Sequence, residues 1–519
     1  MYISSILKSE TIEARFLATL IANVFRFVLS FSAGILIART LGPSEYGDFN
    51  FLLTSFASIF IFMDMGTSSA FYTFISRKKK TTTFYLYYMS WVALQFVIAI
   101  LIATVLLPKG FKNRIWLGHN TNIVVLSLFA SFTMNQVWQV ANQVGESIRA
   151  TVTVQGFNVL IAAVHLLIIF VIINLDILSV KNLFVIITVE YLFFAILLAM
   201  RLKHNLVDAD PSETESLKDT FREFKKYCHP IIPVAFVGFV FTFADNWLLQ
   251  NFGGASEQGF YAVGLRFSTL SLIATSSILK IFWKEIAEVT ERCEFDKAHH
   301  LFLKTSKILY FTGAVISCYL IPYGKLILMW LLGPSYAEGW LCLVIMFMFP
   351  VHQSLGQISG TFLLATGKTK VYRNLRIAAM SVSIPITYFV LAPPGTFLGG
   401  LGLASVGIAL KKVVLQIIMV NVMIYVISRI FKWKFIFWYQ IIGIASLMGI
   451  SFISKFIMQW ITEVLSLTVS IPQLLTMGIV IYIAGVIGII LLAPELSGFK
   501  KAEIKIMLGS VKNILAFAR

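Results

Sequence analysis

Seven charged side chains lie near the centres of long apolar segments of this chain. A charge at bilayer depth is costly, so such a residue usually faces a cavity or a partner group. Basic residues outnumber acidic ones in this set, which favours an anionic ligand. Arginine can bind phosphate oxygens through two nitrogens, whereas lysine acts as a point charge. The basic residues, our predicted substrate-binding set, are Arg26, Arg266, Lys411 and Lys412, and the acidic residues are Asp64, Glu190 and Asp245.

Each of these charges also has a structural interpretation. Arg26 and Asp64 stand near the middle of adjacent segments and could either serve function or form a structural ion pair. Lys411 and Lys412 are consecutive, so they point about 100° apart on a helix and at most one faces a cavity centre. Lys280 is nearer a segment end, where we expect its ammonium to snorkel to the interface.

The acidic residues could instead couple transport to an ion. Carboxylates within membranes serve as proton or cation relays, so Asp64, Asp245 and Glu190 are ion-coupling or ion-pair candidates, with a proton or a sodium ion as partner. His165 also lies mid-segment and could carry a proton. A lone histidine there is more often simply hydrogen-bonded.

The apolar segments predict an all-α polytopic membrane protein. The 519 residues are 58% hydrophobic and 13% charged, whereas a soluble domain is about 25% charged. The first apolar segment, residues 16–37, is of spanning length and lacks the usual cleavage site, so no cleavable signal is expected. About 14 transmembrane helices are predicted, centred near Arg26, Ser58, Gln95, Phe132, Ala163, Glu190, Phe239, Leu272, Val315, Phe349, Ile384, Val414, Ser446 and Val480.

The basic residues predict the orientation of these helices. With both termini and alternate loops in the cytoplasm, about 30 of the 42 basic residues fall on the cytoplasmic side, as the positive-inside rule requires. The net charge of +17 therefore mostly reflects basic residues that orient the helices in the membrane. We predict a multi-pass protein of a prokaryotic inner (plasma) membrane, with the lipid bilayer as its surroundings and no nucleic-acid partner.

A short string that occurs twice predicts internal duplication. Residues 42–47 read Gly-Pro-Ser-Glu-Tyr-Gly and residues 254–259 read Gly-Ala-Ser-Glu-Gln-Gly, an offset of 212 residues. Each copy lies between two long apolar segments. Duplicated helix bundles are common among transporters, so we expect both copies to form outer-face turns that fix hairpins at an outer mouth.

The duplication predicts the domain organisation. We expect an N-terminal six-helix bundle (1–204), a cytoplasmic linker (205–227), a C-terminal six-helix bundle (228–430), two additional transmembrane helices (431–497) and a cytoplasmic tail (498–519). The tail mixes lysines with apolar residues, which suits an amphipathic helix on the inner leaflet; a disordered tail is the alternative.

Motifs for catalysis or metal binding are weak. Asp208 and Asp210 have the Asp-x-Asp spacing of metal-dependent glycosyltransferases but lack a surrounding strand pattern. Gly367-Lys368-Thr369 ends like a phosphate-binding loop, yet Phe362 stands where the first glycine belongs. The four scattered cysteines suggest neither a disulfide nor a metal site. We therefore predict no catalytic residues, no metal, no cofactor and no enzyme activity.

Several segments resemble one family in order. Residues 38–47, Ala-Arg-Thr-Leu-Gly-Pro-Ser-Glu-Tyr-Gly, resemble the end of the first span in the polysaccharide and O-antigen repeat-unit flippases, which belong to the multidrug/oligosaccharidyl-lipid/polysaccharide (MATE-like) superfamily. Asp64-Met65-Gly66 is similar to an acid-x-glycine of their second span. Asp245, with the glycines and aromatic residues of 252–261, resembles their seventh span. Residues 332–336 and 364–425 resemble the loop after the ninth span and spans ten to twelve.

The resemblance implies two six-helix bundles around a central cavity, with two C-terminal helices. It also implies alternating access that moves a polyprenyl-pyrophosphate-linked oligosaccharide from the inner to the outer leaflet for O-antigen, capsule or exopolysaccharide biosynthesis, with glycan polymerases as candidate partners. Basic cavity residues would hold the anionic headgroup, and an ion gradient would drive turnover.

Two other functional interpretations of the sequence stay open. A cation-coupled multidrug antiporter of the same fold would favour an acidic cavity for cationic drugs. The surplus of Arg and Lys near the segment centres argues against this function. A polytopic glycan-processing membrane enzyme needs a large outer loop or a nucleophile or metal constellation, and neither is visible in the sequence.

Overall fold

The computed structural model describes residues 12–78, 80–203, 216–269, 273–466, 469–499 and 503, and these residues form helices and no strands. The α-helices are α1 (Ile12–Asp64), α2 (Thr67–Arg77), α3 (Thr82–Leu101), α4 (Lys109–Ile115), α5 (Thr121–Phe132), α6 (Trp138–Ser147), α7 (Thr151–Asn174), α8 (Val180–Lys203), α9 (Leu217–Cys228), α10 (Ile232–Gly253), α11 (Ala255–Ser268), α12 (Ile273–Glu291), α13 (Phe295–Leu320), α14 (Gly324–Leu332), α15 (Trp340–Phe347), α16 (Phe349–Ala365), α17 (Thr369–Leu391), α18 (Ala404–Phe431), α19 (Trp438–Val464), α20 (Ile471–Leu492) and α21 (Pro494–Ser497). Two π-helical turns, Ile102–Leu106 and Thr133–Val137, continue α3 and α5.

The predicted all-α membrane fold is confirmed. Within the described residues, 12 helical stretches are long and apolar enough to cross a membrane. They contain 13 of the 14 predicted span centres, because the first stretch, Thr19–Asp64, contains two. The remaining centre, Leu272, lies outside the described residues.

The predicted turn at each copy of the repeated string is also confirmed. Gly42 interrupts α1 with φ 74° and ψ 173°, so this element is two helices joined at a kink. Gly254 separates α10 from α11 with φ 86° and ψ 176°. Gly333, which precedes a further Pro-Ser pair, has φ 89° and ψ 179°. Only glycine adopts this region readily, which explains why the string begins with that residue.

The chain divides into two compact units, the first comprising residues up to Gly259 together with Met380–Ala404. In this unit α1 packs along α5, α7 and α10, and α2 packs against α6 and α9. Two buried clusters stabilise it. One contains Phe71, Phe84 and Tyr88, and the other surrounds Trp138 and Leu198.

The second unit comprises Phe260–Ala379 and the residues from Ser405 onward. Here α13 packs against α16 and α19, and α19 packs against α20. Tyrosine hydroxyls join the last two spans to the rest: Tyr482 donates to the carbonyl of Val315 at 2.9 Å, and Tyr310 to that of Gln440 at 2.9 Å. The last two spans are therefore built into this unit.

The predicted six-helix division stays a prediction, and part of it lies outside the described residues. This applies to residues 204–215 of the linker, including the Asp-x-Asp motif, and to the tail apart from residues 498, 499 and 503. The rest of the linker contains α9, which begins with Ser216 accepting a hydrogen bond from the backbone N–H of Lys218.

The two copies of the repeated string contact each other within the first unit. A Cβ atom built on Gly47 would overlap the carbonyl oxygen of Ala255, and one built on Gly259 would overlap that of Pro43. These positions are related by the same offset of 212 residues, so the contact is reciprocal. Only glycine permits two backbones to approach this closely.

We expect Gly47→Ala and Gly259→Ala each to destabilise the protein by about 1–3 kcal/mol, because the new methyl group meets backbone rather than a movable side chain. The measurement is thermal unfolding of the detergent-solubilised protein. Gly156→Ala is the matched control, since no atom lies within 4 Å of a Cβ at that helical position. Equal melting temperatures for all three variants would contradict the reciprocal contact.

Candidate functional site

Glu190 forms a buried charged contact in the first unit. Its carboxylate lies on α8, and its Oε2 atom is 2.7 Å from Nδ1 of His165 on the neighbouring helix α7. The glutamate side chain is 4% exposed. Its second oxygen, Oε1, has no hydrogen-bond partner among the described residues. A carboxylate and an imidazole at this distance can share or exchange a proton.

Arg26 lies in the neighbourhood of this pair. It is exposed on α1, which packs along α7. Both Arg26 and Glu190 lie within electrostatic range of Tyr191. The first unit therefore brings together Arg26, His165 and Glu190, which the sequence had singled out separately.

Asp64 occupies a break between α1 and α2. Met65 and Gly66 have φ values of 48° and 86°, which ends one helix and begins the next. The Asp64 carboxylate accepts hydrogen bonds from the backbone N–H groups of Gly66 (3.2 Å) and Ser68 (2.9 Å) and from the hydroxyls of Thr67 (2.9 Å) and Ser68 (3.0 Å). A carboxylate at a helix N-terminus is stabilised by these donors and by the helix dipole.

No ion pair joins Asp64 to Arg26 in the part of the chain that the structure describes. The partners of Asp64 were missed in the sequence, although its Asp-x-Gly spacing is the signal for such a break. The indole N–H of Trp91 also donates to Thr67 at 3.2 Å, which ties α3 to this break.

Asp245 is buried on α10 and accepts a hydrogen bond from the Thr387 hydroxyl at 2.7 Å. Thr387 also donates to the carbonyl of Ser383 on its own helix, at 2.8 Å. Asp245 is thus positioned by a residue 142 positions away in the sequence.

In the second unit, Lys412 on α18 lies against two aromatic rings. Its ammonium donates to the Tyr261 hydroxyl at 3.1 Å and lies 5.6 Å from the centroid of that ring and 5.3 Å from the centroid of Phe349. Such a cation is stabilised by electrostatic attraction to the negative faces of the rings. A cation beside a partly exposed aromatic ring such as Phe349 can contact an anionic group while the ring stacks on a sugar.

The other predicted basic residues of this unit differ in burial. Lys411 is 4% exposed, whereas the adjacent Lys412 is partly exposed, as consecutive positions on a helix require. Arg266 is half-buried near the end of α11. The Lys280 side chain lies outside the described residues. Within the described residues, no group of three His, Cys, Asp or Glu side chains could hold a metal ion.

A profile of the family described as "Polysaccharide biosynthesis protein" matches residues 14–282. No curated protein sequence matches the chain. The solved structure of the lipid II flippase MurJ in an inward closed conformation is similar, with a TM-score of 0.66, 14% identity, and 91% of this chain and 99% of that chain covered.

An inward-facing MATE family multidrug resistance transporter of the MOP superfamily gives a TM-score of 0.57 at 14% identity, with 80% of this chain and 99% of that chain covered. A MOP superfamily transporter from Pyrococcus furiosus gives 0.51 at 12% identity, with coverage of 83% and 99%. At these identities the likeness shows a shared fold. The profile, in contrast, covers more than half of the chain. This chain therefore belongs to the polysaccharide biosynthesis protein family, as a multi-pass membrane protein with the fold of these flippase and multidrug transporters.

Proposed function

We propose that this protein moves a polyprenyl-pyrophosphate-linked oligosaccharide from the inner to the outer leaflet of a prokaryotic inner membrane by alternating access. The product would serve O-antigen, capsule or exopolysaccharide synthesis. The observation that carries the proposal is the Lys412 ammonium beside two aromatic rings, in a chain of the polysaccharide biosynthesis family. The likeness to the fold of a lipid II flippase supports it.

The basic residues and the aromatic rings would bind different parts of the cargo. Lys412 would hold the pyrophosphate or acidic sugars. Arg26 and Arg266 are further candidates, since an arginine can contact two phosphate oxygens, and Lys411, at 4% exposed, is the weaker candidate of the lysine pair. Phe349, the partly exposed ring beside Lys412, would stack on a sugar face, while the buried Tyr261 positions the ammonium. No bond is made or broken in this scheme, so the protein acts as a transporter rather than an enzyme.

Ion coupling would use the carboxylates of the first unit. Glu190 with His165 is our first candidate for a proton relay, because the pair is in hydrogen-bond contact and one carboxylate oxygen has no partner among the described residues. Asp64 and Asp245 remain candidates for a proton or a sodium ion. Both termini would lie in the cytoplasm, and a glycan polymerase would receive the product on the outer face.

A cation-coupled multidrug antiporter is the second candidate, favoured by the fold shared with MATE family transporters. The two functions differ in the sign of the charge that binds the cargo. Deleting the gene and measuring lipid-linked glycans in each leaflet separates them. Loss of outer-leaflet glycan supports the flippase, whereas normal glycan export with increased drug sensitivity supports the antiporter.

We expect Lys412→Gln to lower glycan export by about tenfold or more, since a hydrogen bond to a charged group contributes about 1.5–3 kcal/mol. Lys412→Arg keeps the charge and should retain a measurable part of the export. Arg26→Glu and Arg266→Glu should also abolish export, because each places a negative charge where the headgroup binds. The measurement is complementation of the deletion strain, with membrane levels of each variant as the control. Full export by both charge-reversal variants would disprove the anion-binding site.

We expect Glu190→Gln to abolish the dependence of export on the proton gradient, because an amide cannot exchange a proton with His165. The measurement is the rate of export with and without a protonophore. Glu146→Gln is the matched control: that carboxylate also lies in the first unit and accepts hydrogen bonds from Thr151 and Gln155. If the protonophore inhibits Glu190→Gln and the wild type equally, Glu190 does not couple transport to protons.

A further inference from the structure

The first unit contains a cavity of about 850 Å³ between α2, α3, α9 and the start of α10. This volume lies near the top of the range of ligand pockets, roughly 300–1,000 Å³. Along α3 its wall runs from Tyr87 to Leu94, roughly 10 Å of helix axis. Met65 and Thr67, beside the helix break at Asp64, also line it.

Helix α9 closes one side of this cavity with an apolar stripe. Leu217, Phe221, Phe224 and Cys228 follow at helical spacing and all line it. Phe224 fixes the helix in place, since its ring packs edge-on against Phe74 at 5.2 Å and is stacked with Tyr88 at 6.1 Å. Burial, with a smaller contribution from the Asp64 carboxylate, raises the pKa of the Cys228 thiol to about 11. The wall is therefore anchored and apolar.

The stripe is also open to an occupant. Phe221 is 69% exposed and Leu94, on the opposite wall, is 47% exposed. Aromatic and aliphatic side chains dominate the interior, so a long hydrocarbon fits it better than a polar solute.

Two lysines mark one rim of the cavity. Lys218 and Lys225 both line it, and seven residues place them on one side of α9, about 10 Å apart along the helix. Neither forms an ion pair with a carboxylate among the described residues. The acidic residues Asp219 and Glu223 are on the helix face away from the cavity lining.

We propose that this cavity binds the isoprenoid tail of the lipid-linked substrate, with the pyrophosphate at Lys218 and Lys225. The inference rests on the proposed flippase function and assigns the inner-leaflet loading site for its cargo. A diphosphate carries a second negative charge that the phosphodiester of an ordinary bilayer lipid lacks, which suits a pair of lysines bracketing it. On the predicted topology α9 lies at the cytoplasmic surface, where the cargo is made.

The test is photolabelling of the full-length protein in nanodiscs. The probe is a long-chain polyprenyl pyrophosphate with a diazirine in its tail, and the labelled peptides are mapped by mass spectrometry. We expect label in α3 and α9. Lys218→Gln with Lys225→Gln should lower labelling by about tenfold or more, since each lysine near a membrane surface contributes about 1 kcal/mol to binding an anionic lipid.

Two further variants separate binding in this cavity from non-specific attraction of an anionic lipid to the basic helix. Leu94→Trp fills the cavity at an exposed position and should also reduce labelling. Arg222→Gln with Lys226→Gln is the matched control, because it removes the same charge from residues of α9 that do not line the cavity. It should label like the wild type.

The outcomes distinguish the site from the function. Label in α3 and α9 that only the two cavity variants reduce supports the proposal. An equal loss of label in the control pair, or complete displacement by phosphatidylglycerol, overturns it in favour of a general lipid surface. Absence of label there, in a protein that still restores glycan export to the deletion strain, overturns the tail site and leaves the flippase function intact. Failure of the wild type to restore export contradicts the function itself.

Discussion

The close approach of two backbones at Gly47 and Gly259 is the constraint on which the first unit depends. Each glycine lies against the carbonyl group of the opposite copy of the repeated string. The kink at Gly42 and the turn at Gly254 start these strings, so the contact fixes where two helical hairpins meet. A hydrogen bond from the Gln250 side chain to Asp48, at 2.7 Å, strengthens the same junction. Steric fit, rather than charge, therefore determines the register of the duplicated elements.

Two carboxylates of the first unit, Asp64 and Glu190, have hydrogen-bond partners on the next or the neighbouring helix. Asp64 is satisfied by backbone and hydroxyl groups of the next helical turn, and Glu190 contacts His165. Neither needs a lysine or arginine to be stable where it lies. This matters for transport, because a basic residue neutralised by a permanent ion pair would have less attraction left for an anionic headgroup. Arg26 stands exposed near Glu190 without such a pair among the described residues.

The spans and turns could be predicted from the sequence because hydropathy and glycine conformation are local properties. The partners of the charged residues could not, since they come from distant positions. Thr387 lies 142 residues from Asp245, and Tyr261 lies 151 residues from Lys412. The offset of 212 residues revealed the duplication, but nothing in it indicated that the two copies touch. Hydropathy predicts a polar linker where α9 lies, because the single apolar stripe of this helix is too narrow to raise the mean hydropathy of a window.

The linker helix also makes the duplicated halves unequal. The connection after the first six spans contains α9 and its lipid-sized cavity, whereas residues 432–437, after α18, connect it to α19 in six residues without a helix. Duplication alone would provide two equivalent entrances for a lipid. In this chain only the first of the two connections contains such a helix. On the proposed loading site, this inequality implies one isoprenoid chain per protein molecule in each cycle, loaded from a single lateral direction.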